Sequence, residues 1–377
     1  MTSPPPHPRL ELVYEDEGFL ALQPHWDALL ERSNVRTPFM SWDWMHQWWL
    51  HSRESTQLSI GVARDHQGAV LGIAPLCVNR LGGGPRGMLR HLTFLGGAGH
   101  ICSEGLDFIV SAGQEERITL LLCQVFARTR LGWDVIDLPV IHDESPNRPI
   151  FEKALRAFDR SGARNPPHLS HSLELPGSWE DYLASVSGNR RNDHRSKWRK
   201  FSQQHAGRAL QAGRDIGIEA AMDALFALHE MRFSPEQSTF LAPDAQAFHR
   251  AIARRWIDDG RVMVSLLEVD GKLAAARHGF VWNNRYWDYQ SGFDDTHAAL
   301  SIGNLNLAWT VQNAILRGLS EYDHLSGDQP YKRAWSSRVR HLHHLEAFNP
   351  RSPAAIVFRL VRSAKRLASR TTAEAAA

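Results

Sequence analysis

The sequence predicts an α/β protein made of two copies of one module. Its 377 residues exceed what one ordinary core organises, and two domains suit that length. Each half runs through the same series: strand, turn, strand, and later helix, glycine, strand. In the first half the turn is Asp65-His-Gln-Gly68, the helix covers 115–130, and Gly132 precedes Asp137. In the second the turn is Asp270-Gly271, the helix covers 301–316, and Gly318 precedes Asp323. The glycine-to-aspartate spacing is five in both halves, and such repetition signals a duplicated unit. The expected boundaries are 1–170, 171–345 and a basic tail, 346–377. Pro139, Pro146, Pro149, Pro166 and Pro167 punctuate the link.

Composition excludes several classes. Apolar residues at 43% and charged residues at 22% are globular values, so the body of the chain is expected to fold. A net charge of +2 is too small to imply a nucleic-acid partner. Cys77, Cys102 and Cys123 are odd in number and lack metal-ligand spacing, which predicts reduced, buried thiols, a cytoplasmic location and no metal. Met1-Thr-Ser-Pro-Pro-Pro6 has neither the charged nor the apolar region of a secretory signal. The most apolar run, Ile118–Ala127, falls well short of the roughly 20 residues that cross a bilayer.

Taken in order, residues 19–31 have helical spacing, and a second helix begins near Ser41, a good N-cap. Four tryptophans between Trp42 and Trp49 give that helix two readings. It packs in the core, or Trp44 and Trp48 line a substrate cleft. Residues 58–78 read as a hairpin, Gly82-Gly-Gly84 as a loop, 89–95 as a strand, and Gly96-Gly-Ala-Gly99 as a flexible turn. A short buried strand, 133–138, follows the first module's helix. Around 176–201 the chain turns helical and basic, with Arg191, Arg195 and Arg199 on one face as a phosphate anchor or a solvated surface. Helices at 220–231 and 242–259 lead to a hairpin, 261–281, turning at Asp270-Gly271.

The stretch Arg285–Trp335 concentrates the candidate chemistry. It holds a strand (285–293), a helix start at Ser301, Ile302, Gly303 and Asn304, a strand around Asp323, and the tail Gly327–Trp335. Unpaired N–H groups and the helix dipole at such a start favour an anion such as a diphosphate. Asp323 reads as a proton acceptor or, like Asp137, as a turn cap. Asp328 is the alternative carboxylate, with His278 and His324 as further candidates. The final residues, 352–370, alternate apolar and basic side chains at helical spacing. They form a helix for an anionic membrane surface or for packing on the body.

Gly292-Phe-Asp294, Leu300-Ser-Ile-Gly303, Tyr322-Asp-His-Leu325 and Gly327-Asp-Gln-Pro-Tyr-Lys-Arg-Ala-Trp335 resemble the GNAT-superfamily acyltransferases of the CelD/BcsL type, the BioF2-like acetyltransferase domain. That family is itself similar to the FemAB peptidoglycan aminoacyltransferases. The resemblance is clearest over 170–340 and extends to Phe39, Ser41, Trp44, Trp48 and Trp49. It implies two tandem GNAT-like modules with mixed, largely antiparallel sheets, the first non-catalytic and shaping the acceptor site. It also implies direct acyl transfer from acyl-CoA, chiefly acetyl-CoA, to the amine of a small molecule or amino sugar, as in envelope polysaccharide synthesis. The usual glycine-rich pyrophosphate loop is reduced here to Leu300–Gly303. Gln290, Ser291 and Gly292 on the strand, with the helix start, would hold the donor, Lys332 would stabilise an oxyanion or bind phosphate, and Tyr331 would protonate the thiolate. Two rivals remain: an aminoacyl-tRNA donor held by the basic helix, and a non-catalytic scaffold at the membrane surface.

Overall fold

Tertiary contacts divide the chain into a first unit, Met1–His168 with His341–Ala377, and a second, Leu169–Arg340. The computed structural model describes residues 7–80, 87–159, 163–164 and 167–362. The start before His7, the Gly82–Gly84 loop, Pro166 and the tail beyond Arg362 lie outside these residues.

The first unit carries β1 (Arg9–Val13), β2 (Thr56–Leu58), β3 (Ile60–Arg64), β4 (Val70–Ala74), β5 (Leu76–Arg80), β6 (Arg90–Phe94), β7 (Ile109–Val110), β8 (Val135–His142) and β9 (Ala163–Arg164). The expected hairpin 58–78 forms but bends at Ser59 and Pro75, where proline has no N–H for the ladder. Beyond the bend the same hairpin continues in another sheet. Strands β3 and β4 join β1 and β7, while β2 and β5 join β6 and β8. The expected helix 115–130 breaks at Cys123 and Gln124 into Glu115–Leu122 and Val125–Arg128.

Ser41 caps the aromatic helix Trp42–Ser52, its Oγ accepting from the Trp44 N–H at 3.4 Å. Trp44 and Trp48, expected to meet substrate, are core residues. Both rings are buried, and their indole N–H groups donate to Ser103 Oγ at 2.9 Å and to the Ala98 carbonyl at 3.1 Å. An indole paired and enclosed in this way has nothing left to offer a ligand. Cys77 and Cys123 are buried as expected, but Cys102 is exposed.

Asp107 is buried in this unit beside Ser145 and Asn147, and burial pushes its carboxyl up to about 7 against their hydrogen bonds. Between about pH 4 and 7 the unfolded chain has lost this proton and the folded chain keeps it. Stability is therefore expected to be highest at the acid end of that window and to fall as pH rises through it, by at most about 4 kcal/mol. Thermal melts across pH test this, and Asp107→Asn should remove that slope.

The second unit carries β10 (His168–Glu174), β11 (Arg208–Gln211), β12 (Val262–Val269), β13 (Lys272–Trp282), β14 (Arg285–Phe293) and β15 (Glu321–Ser326). They lie in the order β11-β12-β13-β14-β15-β10, all antiparallel except β14 with β15. The β12–β13 turn has Asp270 and Gly271 at φ 50° and 79°, as the Asp-Gly pair predicts. Asn283 and Asn284, at φ 49° and 58°, make the β13–β14 turn. Helices Ile218–Glu230 and Ile302–Leu316 both pack on the central strands. Leu307 and Val311 of the second cluster with Met263, Tyr286 and Tyr322. Phe240 and His249, by contrast, lie against Tyr289.

The last strand, β16 (Arg338–Phe348), leaves the second unit at Arg340, short of the expected boundary at 345. From Leu342 on it pairs antiparallel with β8, so those residues belong with the first unit. The duplication read from the sequence has a backbone counterpart. In each unit a three-pair parallel ladder ends at the repeated aspartate: His91–Thr93 with Val135–Asp137, and Arg285–Trp287 with Glu321–Asp323.

Candidate functional site

Strands β14 and β15 pair only through Trp287 and Asp323, then continue to Phe293 and Ser326 without pairing to each other. This opens a wedge with Asp288 and His324 at its apex. The neighbouring β13–β14 ladder slips between His278 and Gly279, which leaves Tyr289 as the extra, bulged residue. Bulges bend a strand and re-aim its side chains, and they are frequent beside active sites.

On one face of the sheet Arg277 Nη1 lies 2.5 Å from Asp288 Oδ2, with both side chains almost wholly buried. His324 Nδ1 stands 3.6 Å from the same oxygen. Burial pushes the Asp288 carboxyl up, but Arg277, aided by His324 and Lys332, outweighs it and holds the pKa below the ordinary carboxylate value. Burial lowers the His324 pKa against the pull of Asp288, so the imidazole is neutral. Burial raises the Tyr331 hydroxyl pKa, against the pull of the nearby Arg277 guanidinium, and keeps it protonated. Tyr286 and Tyr322 pack ring to ring in the same cluster and are likewise protonated. The apex thus presents an ion pair, a neutral imidazole and phenolic protons in a dry setting, where electrostatic effects are strong.

Other sequence candidates take different places. Asp323 is buried and accepts from the Leu325 N–H at 2.8 Å, capping a residue at φ 58°. It also lies 3.4 Å from Arg340, which is held mainly by Glu321. It is a turn cap, whereas Asp137 pairs with His344 and His91, so the two aspartates differ in role. Asp328 is half-exposed and engaged by His171 Nε2 at 3.0 Å and Arg333 at 2.7 Å. Lys332 is not a solvated lysine: it is 7% exposed, and its Nζ donates to the Leu325 and Ser326 carbonyls at the end of β15. His278 points to the opposite face, between Phe280 and Tyr289, and burial lowers its pKa to about 3.

Of the residues expected to hold a donor, Ser291 lies along the wedge with its N–H on the Gln290 side chain and its carbonyl on His229. Gly292 serves packing, since a Cβ there would fall 2.3 Å from the His229 backbone nitrogen. Ser301 sits at φ 50°, starting the helix without a side-chain cap, and Ile302 is buried. Gly303 lies flat against the Phe293 ring.

Asn304 opens onto a small cleft lined also by Tyr182, Arg190, Lys197, Leu305 and Trp335. Tyr182 stacks on Trp335 at 5.5 Å, and the Arg190 guanidinium lies over the same indole at 4.6 Å. Arg190 Nη2 and Tyr182 Oη are buried without a hydrogen-bond partner among the described residues. Two idle donors beside a helix start suit an anion, and the aromatic wall suits a flat or apolar body.

The residues that the basic helix brings to this cleft are not those whose shared face the sequence reading singled out. Helix Gly188–Gln204 turns Arg190, Asp193, His194 and Lys197 to the cleft, while Arg191 donates to the Leu183 carbonyl and Arg195 and Arg199 are exposed. Arg277 and Asp288 were missed altogether. Their signal was a charge of each sign set in apolar stretches of adjacent strands.

Residues 188–333 match the family model described as an acetyltransferase (GNAT) domain. Among solved structures, FemX is similar over 90% of this chain and 98% of its own, at 10% identity and a TM-score of 0.61. A conserved protein of unknown function from Bacteroides thetaiotaomicron is similar over 89% of this chain and 100% of its own, at 12% identity and a TM-score of 0.52. These likenesses show a shared fold. No curated protein matches the chain in sequence. The wedge, its bulge and the helix between β14 and β15 all fall inside the segment, 188–333, that matches the acetyltransferase (GNAT) domain model.

Proposed function

We propose that the protein is an N-acyltransferase of the CelD/BcsL type. In this reading it moves an acyl group from acyl-CoA, acetyl-CoA in the first instance, to the amine of a small-molecule or amino-sugar acceptor, as in envelope polysaccharide synthesis. The observation that carries it is the wedge between β14 and β15, with a buried neutral histidine and a tyrosine at its apex, inside the segment that matches the acetyltransferase domain. A thioester arm laid in the wedge would place its carbonyl against backbone N–H groups of β14 beyond Trp287. There the developing oxyanion is stabilised without solvent reorganisation.

The acceptor nitrogen attacks that carbonyl, the N–C bond forms and the C–S bond breaks. His324 takes the amine proton, with Asp288 orienting the imidazole, and Tyr331 returns a proton to the leaving thiolate. The cleft beside Asn304 receives the nucleotide end of the donor, with Arg190 and Lys197 on its phosphates.

Thiol release from acetyl-CoA with a panel of amines tests this reading, together with thermal stabilisation by CoA. Arg190→Ala should raise KM for acetyl-CoA at least about tenfold with kcat little changed, the loss of one charged hydrogen bond. If neither thiol release nor stabilisation appears, the CoA donor is wrong. The exposed Arg195, Arg199 and Lys200 favour an aminoacyl-tRNA donor as the second reading. Transfer that is sensitive to ribonuclease and weakens steeply with salt would mark it.

A further inference from the structure

We propose that the C-terminal helix docks the protein on an anionic lipid surface. Residues 353–362 are helical, and the helix is seated with its apolar stripe outward. Its inner side packs Ala355 and Phe358 on Phe348, while Arg359 pairs with Asp159 at 3.3 Å and Arg362 with Glu346 at 2.7 Å. Both carboxylates are buried, so these two ion pairs fix the rotation of the helix. The opposite side presents Ile356, Val357, Leu360 and Val361, between 47% and 66% exposed. Two turns of aliphatic side chains facing water are costly, and a soluble helix ordinarily turns that stripe inward.

Charge decides the occupant. No acidic residue occurs from Ser352 to Thr372, and the same helical spacing in the sequence carries Ala364 and Leu367 with Lys365, Arg366 and Arg370 beside them. Arg351, at the near end, is exposed. An aliphatic stripe followed in sequence by a stretch that carries only cationic charges up to Thr372 matches the boundary of an anionic bilayer, where the chains take the apolar side and the headgroups the charge. A second copy of the chain would bring like charges together on the same stripe. Among the described residues no helix is long and apolar enough to cross a membrane, so this is a surface contact. It holds whichever donor the enzyme uses.

The test is co-sedimentation of the full-length protein with vesicles of phosphatidylglycerol and phosphatidylcholine, against vesicles of phosphatidylcholine alone. The protein should pellet with the first and not the second. The double variant Val357→Glu/Leu360→Glu changes only outward positions and should keep its melting temperature while losing at least tenfold in partition. Truncation after Arg362 removes three basic residues and should cost roughly a hundredfold, at about fivefold for each charge near the surface. Failure to pellet with anionic vesicles would overturn the proposal, as would unchanged partition of the double variant. A wild-type dimer in light scattering that the same variant dissolves would assign the stripe to a second copy instead, and overturn it too.

Discussion

His324→Asn is expected to lower kcat/KM for amine acylation by about 10²–10⁴, the usual worth of a positioned general base. Its imidazole is neutral because burial outweighs the nearby Asp288 carboxylate, so it can accept a proton across the physiological range. The sign of the pH dependence follows. Activity requires the unprotonated form, and since the pKa lies below the ordinary histidine value, the acid limb of kcat/KM should fall below pH 6.5 and the plateau extend through neutrality. In the variant that limb should vanish along with most of the rate. An acid limb that survives in His324→Asn would show another group taking the proton. A melting temperature measured on the same sample separates loss of the base from loss of the fold.

Asp288→Ala should have the largest effect on stability. It leaves the Arg277 guanidinium buried with its counter-charge gone, and uncompensated charges of this kind cost about 3–5 kcal/mol. For a unit of this size that is roughly a 10 °C fall in its melting transition. The double variant Arg277→Met/Asp288→Leu removes both charges and fills similar space. It should recover much of the stability, because well-packed apolar replacements of buried ion pairs are often tolerated. It should not recover activity, since His324 loses its orienting partner. Calorimetry on the three proteins decides the matter: if Asp288→Ala melts like wild type, Arg277 does not depend on this carboxylate.

Much of the scaffold was legible because it rests on local rules. Asp270-Gly271 forces a two-residue turn, Ser41 caps its helix, and Gly318, at φ 71°, stops the long helix before β15. The repeated glycine-to-aspartate spacing marked two parallel ladders that no single element reveals. The site was only half legible, for a geometric reason. Arg277 and Asp288 meet diagonally across a hairpin whose register slips at Tyr289, and period-two counting cannot foresee a bulge. The basic helix shows the same limit on a smaller scale. Arg191 and Arg190 differ by 100° of rotation, and only tertiary packing decides which faces the cleft. The burial of Lys332 was not legible, because it depends on neighbours remote in sequence, whereas the core placement of the tryptophans was one of the two readings their spacing offered.

The first unit is discontinuous in sequence: the chain leaves it at His168 and returns at His341. On the ribosome, the partner of β8 is therefore made after the whole second unit. Until β16 emerges, that edge of β8 has open N–H and C=O groups, a template for wrong pairing. Closing the loop from His142 to Leu342, which contains the whole second unit, is slow relative to the local hairpins of that unit. The second unit, which is contiguous, can complete its sheet first. The second unit should thus mature before the module that precedes it in sequence, and a chain ending just after Arg340 should release a folded second unit attached to an unfinished first one.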